Sequence, residues 1–233
     1  QKYFTWVLEP YRNFDRMEFY HILVSTAKST TAVRIYRNLW QTIFRMHKIT
    51  TMTTNYNHAF SFFSMPINNV KPCKVFSLFD AYNYIKGHEA SDSTNRLRLM
   101  TDKNYAKAFK AKNFDYCTFS GTFRYRNDNQ LIKHSGLLCI DFDHLKDVNE
   151  TKNILLNDKY LPTELMFVSP SGDGIKWVTS IDIDQYSHNQ WFSAISNYLF
   201  ATYSLEADPQ CKNVSRACFL PHDSFCYINP EYF

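Results

Sequence analysis

The sequence predicts an α+β protein whose second half runs strand, helix, strand, strand, helix, strand. Three observations carry that prediction. Leu137–Phe142 has strand length, with four consecutive apolar residues, Leu137–Ile140, leading into carboxylates at Asp141 and Asp143. The apolar run at 165–168 and the strand-like segment at 175–181 are separated by Ser169-Pro170-Ser171-Gly172-Asp173-Gly174, a turn signature. Residues 187–203 place Trp191, Phe192, Ile195 and Leu199 on one face at helical spacing.

The remaining elements follow in order. Phe4, Trp6, Val7 and Leu8 suggest a short opening strand, and Val33 to Phe44 repeat at helical spacing across 31–46. Residues 48–70, rich in Thr and Asn, read as extended chain or a long loop. A helix is expected over 77–86, stopped by Gly87, then a loop over 89–94 and a helix over 102–110. After the strand at 137–142 come a helix at 147–156, the two strands flanking the glycine turn, the long helix, and a short last strand at 217–220.

At 233 residues the chain holds one large domain or two modules sharing a core, with 45% hydrophobic residues to fill it. Nothing approaches the ~20 apolar residues of a membrane helix, and no secretion signal is evident. Six cysteines without a close CxxC pair suit reduced thiols in a cytoplasmic protein. Cys211, Cys218 and Cys226 with His222 form a weaker candidate metal set. The net charge of +4 divides unevenly: residues 1–130 carry 19 Lys/Arg against 9 Asp/Glu, and residues 131–233 carry 7 against 13. A basic module at 1–130 suits a phosphate backbone, and an acidic module at 131–233 suits a metal centre.

The chemistry concentrates in three places. Side chains on a strand alternate, so Asp141 and Asp143 share a face and repel unless a cation lies between them. Hard divalent cations prefer such oxygen donors, and Asp208, after the long helix, is the best third ligand, with Asp223 as its substitute. In the turn, Gly172 and Gly174 allow a close backbone approach to an anion, with Ser171 as a donor and Lys176 as a phosphate counter-charge. Taken alone, the turn fits a plain β-hairpin, with Lys176 on the exposed edge face, slightly better. Arg216 can grip a phosphate or orient Asp208. Upstream, Phe119 to Arg126 interleaves aromatic and basic residues. Arg124 and Arg126, extended by Arg96, Arg98, Lys103, Lys107, Lys110 and Lys112, suit a single-stranded nucleic acid. His134 and His144 flank the carboxylate strand as capping or surface groups.

The order Asp141-Phe142-Asp143, then Ser171-Gly172-Asp173-Gly174-Ile175-Lys176, then Asp208 to Arg216 resembles the archaeo-eukaryotic primase and primase-polymerase superfamily. Phe119–Phe123, His134-Ser135-Gly136 and Asp141-Phe142-Asp143-His144 look closer still to the primase-like N-terminal domain of Bacteroides mobile-element proteins. The resemblance spans about residues 75–225. It implies an RRM-like βαββαβ catalytic module packed against a mixed α/β N-terminal module. It further implies Mg²⁺ or Mn²⁺ on Asp141, Asp143 and Asp208, nucleoside triphosphates as substrates, and a single-stranded DNA template. A helicase-like region in the same or a neighbouring chain often accompanies such domains. One position departs from the pattern: many relatives carry His where this chain has Lys176. A metal-dependent nuclease and a non-catalytic RRM-like binding module remain as alternatives.

Overall fold

The computed structural model describes residues 58–233; the expected strand near residue 4 and helix over 31–46 lie outside them. These described residues group as one compact unit. Its elements, in order, are β1 Phe60–Phe63, β2 Lys74–Phe76, α1 Leu78–Lys86, α2 Ser91–Arg98, α3 Lys103–Asn113, β3 Tyr116–Thr118, β4 Gly121–Phe123, β5 Leu131–His134 and β6 Leu137–Phe142. There follow α4 Val148–Leu156, β7 Leu165–Val168, β8 Ile175–Ser180, α5 His188–Tyr203, β9 Cys218–Phe219 and β10 Tyr227–Ile228. The fold is α+β, with antiparallel pairing throughout the described strands.

The helices begin where their caps dictate. Ser77 and Asp80 form a reciprocal capping box at α1, Asp102 caps α3, Asp147 caps α4, and Ser187 with Gln190 boxes the start of α5. α2 corrects the expected loop at 89–94. Its sequence SDSTNRLR is a poor helix former, and tertiary contacts override that weak preference. Thr94 and Leu97 are buried, the Thr94 hydroxyl donates to the Ala90 carbonyl at 2.7 Å, and the His222 N–H donates to Thr94 Oγ1 at 2.9 Å.

Two four-stranded sheets form, in the orders β2-β1-β3-β9 and β10-β7-β8-β6, with β4-β5 as a separate hairpin. Within the second sheet β8 lies between β6 and β7, so the β6-α4-β7-β8 stretch is a split βαβ unit. The terminal strand departs from expectation. Cys218–Phe219 pairs with Tyr116–Cys117 in the first sheet, and Tyr227–Ile228 supplies the outer strand beside β7. Partner choice for a two-residue strand rests on non-local packing, and the Leu220 N–H reinforces it by donating to the Asp115 carbonyl at 3.0 Å.

One core joins both sheets. Phe60 and Phe62 of β1, Cys117 of β3, Leu137 of β6, Phe167 of β7 and Val178 of β8 pack together with Leu78, Ala81 and Ile85 of α1. Residues on both sides of position 130 therefore share one interior. The fully buried Trp177 satisfies its indole N–H on Thr163 Oγ1 at 2.8 Å. All six cysteines are free thiols.

His134 and His188 make a buried polar chain beside the hairpin. The Gly136 N–H donates to His134 Nδ1 at 3.0 Å, so the neutral ring carries its proton on Nε2, 3.1 Å from His188 Nδ1. The far nitrogen of His188 then donates to the Cys211 carbonyl at 3.3 Å. A proton added to either ring turns an acceptor toward a donor. Burial, then His188, pushes His134 down to about 4, and burial lowers His188. Above pH ~6.5, the ordinary histidine value, folded and unfolded chains are both neutral and the pair costs nothing. Below it the unfolded chain binds protons that the folded chain refuses. Stability is therefore expected to fall from pH 6.5 toward 4, by up to about 1.4 kcal/mol per pH unit for each such proton. Urea unfolding at pH 7 and pH 5 checks this, and equal stability at both would contradict it.

Candidate metal centre and cationic cleft

The centre is assembled by cross-strand register. β6 and β8 pair so that Asp141 stands opposite Lys176, and directly opposed residues project from the same face of a sheet. Asp143 follows two residues after Asp141, just beyond the strand end. Asp208 arrives from far along the chain: its N–H donates to the Asp141 carbonyl at 2.9 Å. Its carboxylate accepts from Gln210 N at 2.9 Å and so caps the short 3-10 turn Pro209–Lys212. Asp141, Asp143 and Asp208 each present a carboxylate oxygen, and these oxygens all lie within 4.8 Å of one another. Among the described residues this is the His/Cys/Asp/Glu grouping of metal-binding geometry. The cysteines near His222 do not form one. His222 instead shares a 2.7 Å hydrogen bond with the Gly87 carbonyl. Asp223, the substitute for Asp208, accepts from Val168 N at 2.8 Å and Phe225 N at 2.9 Å as a structural turn residue.

Two cations answer the three carboxylates. Lys176 Nζ is in direct ion-pair contact with Asp141 Oδ2, and lies 4.0 Å from Asp143 Oδ1. Burial works against the Lys176 charge, but Asp141 more than offsets it and lifts the ammonium above the usual lysine range. Burial pushes the Asp141 carboxyl up, against the pull of Lys176. The other oxygen, Asp141 Oδ1, is buried and has no hydrogen-bond partner. Arg216 donates to Asp208 Oδ2 at 2.6 Å and to Gln210 Oε1, so it orients Asp208.

A cleft of about 360 Å³ opens over this group, lined by Asp141, Asp143, Lys176, Arg216, Lys110, Arg126, Asn213, Ser215, Pro170, Ile67, Ala217 and Phe219. Arg126 reaches it by lying over the Tyr116 ring, 5.2 Å from its centroid, while donating to Tyr116 Oη at 3.2 Å and to the Ile67 carbonyl at 3.1 Å. Lys110 comes from α3, and burial followed by the neighbouring Lys176 charge lowers its pKa.

Of the expected site residues, the structure brings Asp141, Asp143, Lys176, Arg216 and Arg126 to this cleft, with Asp208 in the carboxylate cluster. Ser171, Gly172 and Gly174 are not among its lining residues. Local packing constrains both glycines of the turn. Gly172 has φ +88° and its N–H donates to the Ser169 carbonyl at 3.0 Å. A Cβ on Gly174 would come within 2.4 Å of the Phe142 carbonyl oxygen. Asp173 shares a 2.8 Å contact with His144 Nδ1. Arg98 is held under the same turn, donating to the Ser169 and Pro170 carbonyls at 3.3 Å each. Arg96 lies over the Phe109 ring, and Arg124 is exposed in the β4–β5 connection. Sequence reasoning treated Lys110 as general positive surface and passed over Asn213, Ser215 and Tyr116. The Lys103/Lys107/Lys110 spacing was the available sign of a basic helical face.

No curated protein and no solved structure matches the chain. A family model does match, that of the BT4734-like N-terminal domain, over residues 108–227, just over half of the sequence. The matched stretch contains the carboxylate strand, the glycine turn, Asp208 and Arg216. It also contains the residues on which the resemblance to the N-terminal domain of Bacteroides mobile-element proteins rests. The chain belongs to the BT4734-like N-terminal domain family.

Proposed function

We propose that the chain carries out metal-dependent nucleotidyl transfer, as a DNA primase or primase-polymerase extending a strand from nucleoside triphosphates on single-stranded DNA. The supporting observation is the convergence of Asp141, Asp143 and Asp208 beside a cleft walled by Lys110, Arg126, Lys176 and Arg216. The donor set fits Mg²⁺ or Mn²⁺: it is all oxygen, and one oxygen of Asp141 is buried without a partner. Asp141, Asp143 and Asp208 would hold the metal. Bound there, a divalent ion supplies Lewis-acid polarisation of a phosphoryl oxygen and makes a hydroxyl easier to deprotonate. Arg126 and Lys110 offer positive charge to a polyphosphate, and the hydrogen bonds that hold Arg126 reduce the cost of ordering it. Arg216 keeps Asp208 aimed at the cluster. The split βαβ order of β6, β7 and β8 supports an RRM-like catalytic module. The exposed Arg96 and Arg124 offer charge to a template strand. A helicase-like partner, a mobile-element setting and a cytoplasmic location complete the proposal.

One observation favours a second reading, a non-catalytic nucleic-acid-binding module: Lys176 already neutralises Asp141, so a strand could approach without metal. Incubation with Mn²⁺ or Mg²⁺, single-stranded DNA and labelled nucleotides, primed and unprimed, separates the two. Metal-dependent products that vanish in the Asp141→Ala/Asp143→Ala variant are expected. Tight strand binding without products would favour the module, and shortened DNA would indicate a nuclease.

A further inference from the structure

The centre carries its own cation. Three carboxylates at this spacing invite two divalent ions, yet the register of β6 and β8 sets a lysine directly against the innermost of them. Lys176 is anchored on a strand between β6 and β7, its side chain is 12% exposed, and its ammonium contacts Asp141 while standing 4.0 Å from Asp143. Arg216 neutralises Asp208 from the other side. With the carboxylates ionised, the three negative charges are offset by two positive ones, leaving about −1 for an incoming cation. One oxygen is left over: Asp141 Oδ1, buried and without a hydrogen-bond partner, in a residue that is 7% exposed.

We infer that the Lys176 ammonium fills one of the two cation positions of the cluster, so that the centre takes a single divalent ion beside it. This rests on the nucleotidyl-transfer reading and sharpens it: Lys176 holds the carboxylates in place of a second metal. A fixed ammonium supplies charge at no cost of ion capture, but it cannot coordinate a hydroxyl or a water as a metal does. Lys176 is thus a positioning residue for Asp141 and Asp143, and the remaining ion is held by Asp141 Oδ1, Asp143 and Asp208.

Mn²⁺ titration of the full chain, followed by the electron paramagnetic resonance of free Mn²⁺, tests the count. The wild type is expected to bind one Mn²⁺, and so is Lys176→Arg, which keeps the charge. Lys176→Met, with a stem of similar length and no charge, is expected to gain a second Mn²⁺ or to bind the first at least tenfold more tightly. Lys176→Gln repeats the test if the Met variant unfolds, and near-ultraviolet circular dichroism verifies each fold. Two Mn²⁺ of similar affinity on the wild type would overturn the inference, as would an uncharged folded variant that titrates like the wild type. Absence of Mn²⁺ binding by the wild type and by every folded variant would instead overturn the metal-dependent reading on which it rests.

Discussion

Asp141→Asn is expected to lower metal-dependent nucleotide incorporation about a thousandfold, a loss of ~4 kcal/mol in transition-state stabilisation. The substitution keeps size and one carbonyl oxygen but removes the carboxylate of the cluster in closest contact with the buried Lys176. It should also cost stability. Breaking a buried ion pair from one side leaves the other charge uncompensated, ~3–5 kcal/mol in the full case, with the lower end expected because asparagine still accepts a hydrogen bond. Asp143→Asn provides the contrast: Asp143 is exposed, so its loss should impair incorporation with less than about 1 kcal/mol of destabilisation. Incorporation rates and urea midpoints measured on both variants check the split. An Asp141→Asn protein within tenfold of wild-type activity would remove the carboxylate from the chemistry.

The second large effect belongs to the turn. Gly174→Ala is expected to destabilise the protein by roughly 2–4 kcal/mol, because its Cβ would meet backbone on both sides: the Phe142 oxygen at 2.4 Å and Asp143 Cα at 3.3 Å. Relief requires moving β8 away from the end of β6, and that displaces Asp143 relative to Asp208. Activity should therefore fall further than stability alone predicts. Gly172→Ala is the milder neighbour. It incurs about 1–2 kcal/mol of left-handed backbone strain, and its nearest contact is the flexible Arg98 side chain at 3.2 Å. Thermal unfolding of the two variants side by side tests the order, and a Gly172→Ala cost exceeding that of Gly174→Ala would contradict it.

The second half was legible because its signals are local. Leu137–Phe142, Leu165–Val168 and the start of β8 follow from apolar runs bounded by a turn, and α5 follows from its periodic inner face and capping serine. α2 was not legible, since its eight residues lack helical preference and owe their shape to Thr94 and its partners. Nor was the partner of β9, because pairing across a hundred residues leaves no mark in a two-residue strand. At the site, alternation is enough to pair Asp141 with Asp143. The convergence of Asp208 depends on a backbone hydrogen bond to Asp141 and on Arg216, and the inward aim of Arg126 on an aromatic ring ten residues upstream. The glycine turn shows the opposite difficulty. Glycines that let a backbone approach a phosphate and glycines that let it approach another strand look the same in a sequence.

The bond from Asp208 N–H to the Asp141 carbonyl has a consequence for recognising distant relatives. The third carboxylate is docked onto the first by main-chain atoms, so its distance along the chain is free to drift. A relative could shorten the long helix, or lengthen the loop before the docked residue, and keep the same triad. Spacing along the chain is then a poor guide to such a triad. An acidic residue whose amide reaches back to the end of the carboxylate strand is the better one.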